Sequence, residues 1–151
     1  MPESSRPRTH ATRGRDQLKT SSLKCSAQFE GEVMVRLTCV LRRKEGTSPQ
    51  EFHEHWEQVH APLIARLNSG SHVLRYEQYP RALDTYDGDD DRSGFDGVTL
   101  QWFASMDEYH AHMAEADFAE MWEDIASFLD TDSLHFVVTE EPGRLIFDRS
   151  T

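Results

Sequence analysis

The stretch SPQEFHEHWEQVHAP, residues 48–62, predicts a helix and the face that it buries. Ser48 supplies an N-cap, Pro49 suits the first helical turn, and Glu51 completes a capping box. After the cap, apolar residues recur at intervals of three or four, the period of a helix with one buried face. That face comprises Phe52, Trp56, Val59, Leu63 and Leu67. We therefore predict one amphipathic helix, with Pro62 as a point at which it kinks.

His60 is the last member of a series at four-residue steps that begins with Phe52 and continues with Trp56. An imidazole titrates near neutral pH, so a histidine on an otherwise apolar face is a candidate acid or base. The alternative is a packed histidine that hydrogen-bonds a backbone carbonyl and fixes the helix. Phe52 and Trp56 are interpreted mainly as core, because an aromatic stripe at helical spacing usually buries itself. The pattern alone leaves both interpretations of His60 open.

Four segments outside this helix have the composition and alternation of β-strands. They are residues 34–42, 72–79, 95–103 and 134–140. A second helical region opens at Ser105, with Glu108 placed for another capping box, and runs through Asp130 in two pieces that meet near 114–117. The order βαββαβ predicts a ferredoxin-like α+β subunit with an antiparallel sheet. Apolar residues on the uncovered sheet face predict a homodimer that packs sheet against sheet.

Charge is distributed unevenly along the 151-residue chain, whose net charge is −11. Residues 1–24 carry six Lys or Arg and two acids, a net +4, which leaves −15 for the remainder. Such an acidic chain repels phosphate backbones and anionic lipids, so we expect neither nucleic acid nor a membrane as a partner. Cys25 and Cys39 give no reason to expect a disulfide, and no long apolar segment is present. We therefore expect a cytoplasmic protein.

Residues 1–31 are rich in Ser, Thr and Arg and lack apolar periodicity. This composition predicts a flexible N-terminal arm, followed by a single domain that spans 32–151. We interpret the arm as an extension, with Met34 standing where the domain begins. A transit peptide is the alternative, because the arm is Arg-rich and poor in acids.

The strands and the quoted helix resemble the EthD-like family of dimeric α+β barrels. The most specific part of the resemblance is F-x-x-x-W-x-x-x-H-x-P, here Phe52, Trp56, His60 and Pro62, and the whole covers about residues 34–142. Further support comes from MVRLTCVLRRKEG, DGVTLQWFASMDEY and HFVVTEE. The resemblance implies a homodimer with a pocket between sheet and helices. Relatives include fungal dehydratases, aromatic polyketide cyclases and a protein tied to ethyl tert-butyl ether breakdown, so the fold alone does not select a reaction.

Taken together, the residues and the resemblance lead us to expect cyclase-type or dehydratase-type proton transfer on a small aromatic or carbonyl compound. His60 is the expected general acid or base, and Trp56, Arg36, Tyr76 and Gln101 are candidate substrate-binding residues. Arg36 suits an enolate oxygen, with an exposed or ion-paired arginine as its alternative. The alternative functions are a non-catalytic binding or accessory protein for a partner oxygenase, and a monooxygenase or other oxidoreductase on the same scaffold.

The eight histidines do not form a recognisable metal site. His55 and His60 lie roughly 140° apart around a helix, and HEHWE is not the zinc motif H-E-x-x-H. The acidic loop, residues 80–94, fails as an EF-hand because Arg92 and Val98 occupy positions that need glycine and glutamate. We expect that loop to be solvated and to gate the pocket. We expect no metal and no cofactor, with haem as the alternative because other dimeric α+β barrels bind it through one histidine.

Overall fold

The computed structural model describes residues 32–67, 71–115 and 118–150. The predicted arm, residues 1–31, lies outside this part of the chain. The described strands form one sheet and comprise β1 Val35–Leu41, β2 Val73–Pro80, β3 Gly97–Phe103 and β4 His135–Glu140. All neighbouring pairs are antiparallel, and the spatial order is β2-β3-β1-β4. This is the ferredoxin-like arrangement predicted from the order of the elements.

Helices follow β1 and β3. The first helical region comprises α1 Pro49–His55, a π-helical turn Trp56–His60 and α2 Ala61–Leu67. The second comprises α3 Met106–Met113 and α4 Phe118–Phe128, which confirms the prediction of two pieces. At the start of α1, the Ser48 hydroxyl accepts a hydrogen bond from the Glu51 N–H, and the Glu51 carboxylate accepts one from the Ser48 N–H at 2.8 Å. The predicted capping box is therefore confirmed.

The second predicted capping box forms only in part. The Ser105 hydroxyl accepts a hydrogen bond from the Glu108 N–H at 3.2 Å, as expected. The Glu108 carboxylate instead forms a hydrogen bond with the ring of His72, so the reciprocal half of the box is replaced.

None of the helices in the described residues has the length and apolar character needed to cross a membrane.

The π-helical turn changes which residues of the first helical region are buried. Its closing backbone hydrogen bond reaches back five residues, to the carbonyl of Trp56. Such a turn adds one residue to the helical repeat, so buried positions beyond it move forward by one. The predicted stripe ran through Val59 and Leu63, whereas the structure buries His60 and Ile64 and leaves Val59 49% exposed. The assignment of Val59 to the buried face was therefore wrong.

The helices cover the sheet face formed by alternate residues of β1, namely Val35, Leu37, Cys39 and Leu41, all of which are buried. One core cluster brings Cys39 and Leu41 together with Phe52, Trp56, Phe128 and Leu129. A second, smaller cluster consists of Val35, Leu37 and Phe103. Together these clusters attach the helices to both ends of β1.

The acidic loop is organised by a buried arginine rather than being merely solvated. The Arg43 side chain donates hydrogen bonds to the backbone carbonyls of Thr47, Asp89 and Asp91, at 2.6 to 2.8 Å, and to the Asp96 carboxylate. None of residues 80–94 lines the cavity described below. The structure therefore gives this loop no part in the cavity wall, contrary to the gating role expected from the sequence.

Candidate functional site

A cavity of about 220 Å³ lies between the covered face of the sheet and the helices. Its floor is the middle of β1, where Leu37, Cys39 and Leu41 point towards the helices. Apolar residues from α4 and the segment after it supply much of the wall, and they include Met121, Trp122, Ile125 and Leu134. An engineered apolar cavity of about 150 Å³ binds benzene in another protein. The volume here is thus sufficient for a compact aromatic ligand.

A small number of polar side chains enter this apolar lining: His60, Tyr76, Thr99, Gln101 and His112. Ligand-binding cavities commonly have this composition, in which apolar walls provide affinity and a few polar groups fix orientation. The Tyr76 hydroxyl accepts a hydrogen bond from the side-chain amide of Gln78 at 3.3 Å. Burial raises the pKa of Tyr76 to about 12 and that of Cys39 to about 11, so both groups remain protonated at neutral pH.

His60 lies at the end of the π-helical turn and is only 5% exposed. Its Nδ1 is 2.6 Å from Oδ2 of Asp124 on α4, and its ring packs against Phe128 with centroids 5.1 Å apart. Because a carboxylate only accepts hydrogen bonds, Nδ1 carries the proton and Nε2 carries the lone pair. No described residue hydrogen-bonds to Nε2. The ring therefore presents a basic nitrogen beside the cavity.

Burial lowers the pKa of His60 below its ordinary value of 6.5, and the neighbouring Asp124 carboxylate partly opposes this effect. The imidazole is accordingly neutral at pH 7, the form that can accept a proton. A carboxylate on the other ring nitrogen stabilises the imidazolium that such a transfer creates. The His60–Asp124 pair thus has the tautomer and the charge state of a general base.

Asp124 was not predicted from the sequence as a site residue. It accepts a second hydrogen bond, from Nε2 of His55, at 2.9 Å from its Oδ1. The His55 ring stacks on Phe128 with centroids 4.6 Å apart. The only local signal was an acid on α4 next to Ile125, between apolar positions that recur at helical spacing. That signal does not distinguish a buried acid from one at the edge of the apolar face.

The structure brings three of the predicted site residues together and separates two from them. His60, Tyr76 and Gln101 line the same cavity. Trp56 is 2% exposed and is not part of the lining, because its ring packs on Phe52 and above Gly97. Arg36 lies on the opposite face of the sheet, where its Nε is 3.1 Å from the Glu141 carboxylate. The observed environment of Arg36 therefore matches the alternative interpretation, an ion-paired arginine.

His112 is a further cavity residue that the sequence did not single out. It is 4% exposed, and its Nδ1 is 3.1 Å from the Glu115 carboxylate. Nε2 of His72 lies 3.8 Å from the same carboxylate. Burial lowers the pKa of His112. Within the described residues, no group of three or more His, Cys, Asp or Glu side chains has the arrangement of a metal site.

Solved structures share this fold at low sequence identity. An EthD family protein from Bacillus halodurans is 18% identical with a TM-score of 0.53, and the match covers 72% of this chain and 99% of that one. SnoaB from Streptomyces nogalater, a cofactor-independent oxygenase, is 14% identical with a TM-score of 0.50, with 76% and 99% covered. A dimeric ferredoxin-like protein of unknown function from Thermobifida fusca is 13% identical with a TM-score of 0.52, with 72% and 92% covered.

These similarities establish the fold alone, and no curated protein matches the chain. The family comparison goes further, because the EthD domain matches residues 44–132, which is more than half of the chain. The matched range contains the π-helical turn, the cavity-facing part of β3 and all of α3 and α4. On this evidence the chain belongs to the EthD domain family.

Proposed function

We propose that this EthD domain protein catalyses cofactor-independent proton transfer on a small aromatic or carbonyl compound bound in the apolar cavity. The observation that carries the proposal is the neutral imidazole of His60 at the cavity wall, with Nδ1 fixed on Asp124. Nε2 removes a proton from a carbon next to a carbonyl, and the C–H electron pair remains on the ligand as an enolate. Return of the proton at another position completes a cyclisation or precedes loss of water.

The cavity supports this chemistry in two further respects. Its lining is largely apolar, and electrostatic interactions between His60 and a ligand are stronger in such surroundings than in water. Gln101 and Tyr76, which share the cavity with His60, provide uncharged hydrogen-bonding groups for a carbonyl or hydroxyl oxygen. Both lie on strands of the sheet, so their positions are fixed by backbone pairing between Tyr76 and Gln101.

A hydrogen-exchange experiment with 1-tetralone, a bicyclic aromatic ketone, tests the proposal. Mass spectrometry in D₂O follows the α-carbon protons, and fluorescence or NMR titration follows binding. We expect saturable binding and α-proton exchange that His60→Asn reduces by about 100-fold or more. Asn is the appropriate replacement because its amide nitrogen can still donate to Asp124. His110→Gln, an exposed histidine outside the cavity lining, is the control. Exchange that survives His60→Asn in a folded protein contradicts the catalytic role.

The second candidate function is that of a non-catalytic metabolite carrier or accessory protein. It is supported by the same cavity, because apolar walls with a few polar groups are sufficient for binding. Saturable 1-tetralone binding without enzyme-dependent exchange would favour this function over catalysis.

The oxygenase alternative draws on the fold shared with SnoaB. Consumption of dissolved oxygen with an anthrone-type substrate distinguishes it from both.

We also propose that two copies of the chain pair through the open sheet face. On that face Tyr79 and Val137 are each 51% exposed, and leaving such apolar surface in water is unfavourable. The similar protein from Thermobifida fusca is described as dimeric. Val137→Asp should convert a dimer to a monomer in sedimentation experiments. Val59→Asp is the matched control, because Val59 is 49% exposed on the helical side. Identical sedimentation of both variants and the parent would contradict this interface.

A further inference from the structure

Asp124 connects the cavity to the protein surface through two imidazoles. His60 Nδ1 contacts Oδ2 at 2.6 Å, and His55 Nε2 contacts Oδ1 at 2.9 Å, so each ring has its own carboxylate oxygen. The side chains are progressively more accessible along this series, at 6% for His60, 13% for Asp124 and 29% for His55. Phe128 packs against both rings and holds them on either side of the carboxylate.

A base in this position has a specific difficulty once it has taken a proton. The imidazolium is unfavourable in a buried, apolar environment. A bound ligand occupies the cavity, so protons cannot readily leave on that side. His60 can return the proton directly from Nε2, but until it does so its positive charge stays in the site unless the Nδ1 proton has another way out.

We propose that His55, Asp124 and His60 form a proton route between the cavity and solvent that operates while a ligand is bound. This inference rests on the proposed function only for its catalytic purpose. The ligand proton stays on His60 Nε2, while the Nδ1 proton passes to Oδ2 of Asp124. Rotation of the carboxyl group about Cβ–Cγ brings that O–H to His55 Nε2. His55 donates from Nε2 in the structure, so its ring must first exchange through water, which protonates Nδ1 and removes the Nε2 proton. Nε2 then accepts the proton from Asp124, and water takes the Nδ1 proton from His55.

The net result is the release of one proton to solvent and a neutral His60 that carries its proton on Nε2. In this tautomer His60 can protonate the ligand at a second position, while the route in reverse restores the proton on Nδ1. A single imidazole thereby serves as base and then as acid without remaining charged in the cavity. Cyclisation and dehydration each require this pair of steps.

A purely positioning role for His55 is the competing explanation, and two substitutions separate them. In His55→Gln the side-chain amide nitrogen replaces Nε2 as a donor to Oδ1 but cannot carry a proton. In His55→Ala both the donor and the proton carrier are lost. A positioning role predicts normal behaviour for the glutamine variant, whereas a proton route predicts a defect in both.

The test measures exchange of the His60 Nδ1–H with water by NMR of full-length, ¹⁵N-histidine-labelled protein, with and without saturating 1-tetralone. We expect exchange at least tenfold slower in His55→Gln and His55→Ala, and restored in the alanine variant by added imidazole. His53→Gln, two residues away on α1, is the control and should match the parent. Exchange in His55→Gln within twofold of the parent would overturn the route. Normal Nδ1 exchange without turnover of 1-tetralone would instead count against the proposed function and leave the route intact.

Discussion

Two buried ionic clusters in this domain have different properties, and the difference separates structure from function. Arg43 and Asp96 are each 1% exposed, and a hydrogen bond joins Arg43 Nη1 to Asp96 Oδ1 at 2.5 Å. The same oxygen of Asp96 also accepts from Tyr86 at 2.9 Å, and the remaining Arg43 donors reach backbone carbonyls. This cluster has its main donors and acceptors occupied and does not line the cavity.

The His60–Asp124 cluster also pairs a basic side chain with a carboxylate, but His60 borders the ligand cavity. One ring nitrogen of His60 is engaged by Asp124, and the ring lines the cavity. A buried charge with all its partners present holds segments of chain together, whereas a buried titratable group beside a cavity is available for chemistry. The comparison predicts that substitutions in the first cluster change stability and that substitutions in the second change turnover.

The largest effect should follow replacement of Arg43 by Met. The change leaves the Asp96 carboxylate buried without its cation and removes the hydrogen bonds that hold residues 89–91. We expect the free energy of unfolding to fall by about 3–5 kcal/mol in urea titrations. Arg42→Met is the matched control, because Arg42 is only partly buried and lies over Phe95. Equal losses in the two variants would show that the buried pair has no special role.

Asp124→Asn should have the opposite effect, which is a loss of catalysis rather than a loss of stability. The amide still accepts one hydrogen bond but cannot stabilise an imidazolium, so proton abstraction by His60 becomes unfavourable. We expect α-proton exchange of 1-tetralone to fall about 100-fold, which corresponds to about 2.7 kcal/mol in the barrier. Glu123→Gln, the exposed neighbour on α4, should retain normal exchange. A loss of stability as large as that of Arg43→Met, with exchange preserved, would reverse the roles of the two clusters.

Gly97→Ala tests whether Trp56 is a tightly packed core residue rather than a residue that responds to a ligand. A Cβ at position 97 would lie 2.6 Å from the Trp56 ring and 3.1 Å from the backbone oxygen of Tyr79, so the tryptophan must shift. Overpacking of this kind costs about 1–3 kcal/mol of stability. Gly143→Ala, where no atom lies within 4 Å of the added carbon, provides the control. An unchanged urea midpoint for Gly97→Ala would mean that Trp56 is loosely packed and free to respond to a ligand.

Local patterns in the sequence predicted the fold better than they predicted the site. Strand bounds agree within two residues, and the cap at Ser48 has the expected hydrogen bonds. These features depend on neighbouring residues, so they are visible in a short window. The π-helical turn depends on tertiary packing, and its one-residue shift moved burial from Val59 to His60.

The site partners were missed for a related reason. Asp124 lies 64 residues from His60, and Asp96 lies 53 residues from Arg43. No spacing rule joins residues so far apart, and each acid also fits a solvent-exposed position. His60 was identifiable because its own helix carried an apolar pattern, whereas Asp124 became visible only when α4 was placed beside it.

The smallest predicted effect concerns the pH dependence of stability. Burial lowers the pKa of His53, His60 and His112 in the folded protein, whereas the unfolded chain has the ordinary value of 6.5. Below pH 6.5 the unfolded chain therefore binds more protons than the folded one, and the free energy of unfolding falls as the pH decreases. Each histidine contributes at most about 1.4 kcal/mol per pH unit between its two pKa values.

His60→Asn should reduce this slope, because it removes one of the three groups. Arg42→Met should retain it, since it leaves the buried Arg43–Asp96 pair intact and an arginine stays charged throughout this pH range. Urea titrations between pH 7.5 and 5.5 measure both slopes. An unchanged slope in His60→Asn would mean that His60 accepts protons in the folded state as readily as in the unfolded chain. The cavity would then be polar enough to hold an imidazolium, and the contrast between the two clusters would lose its electrostatic basis.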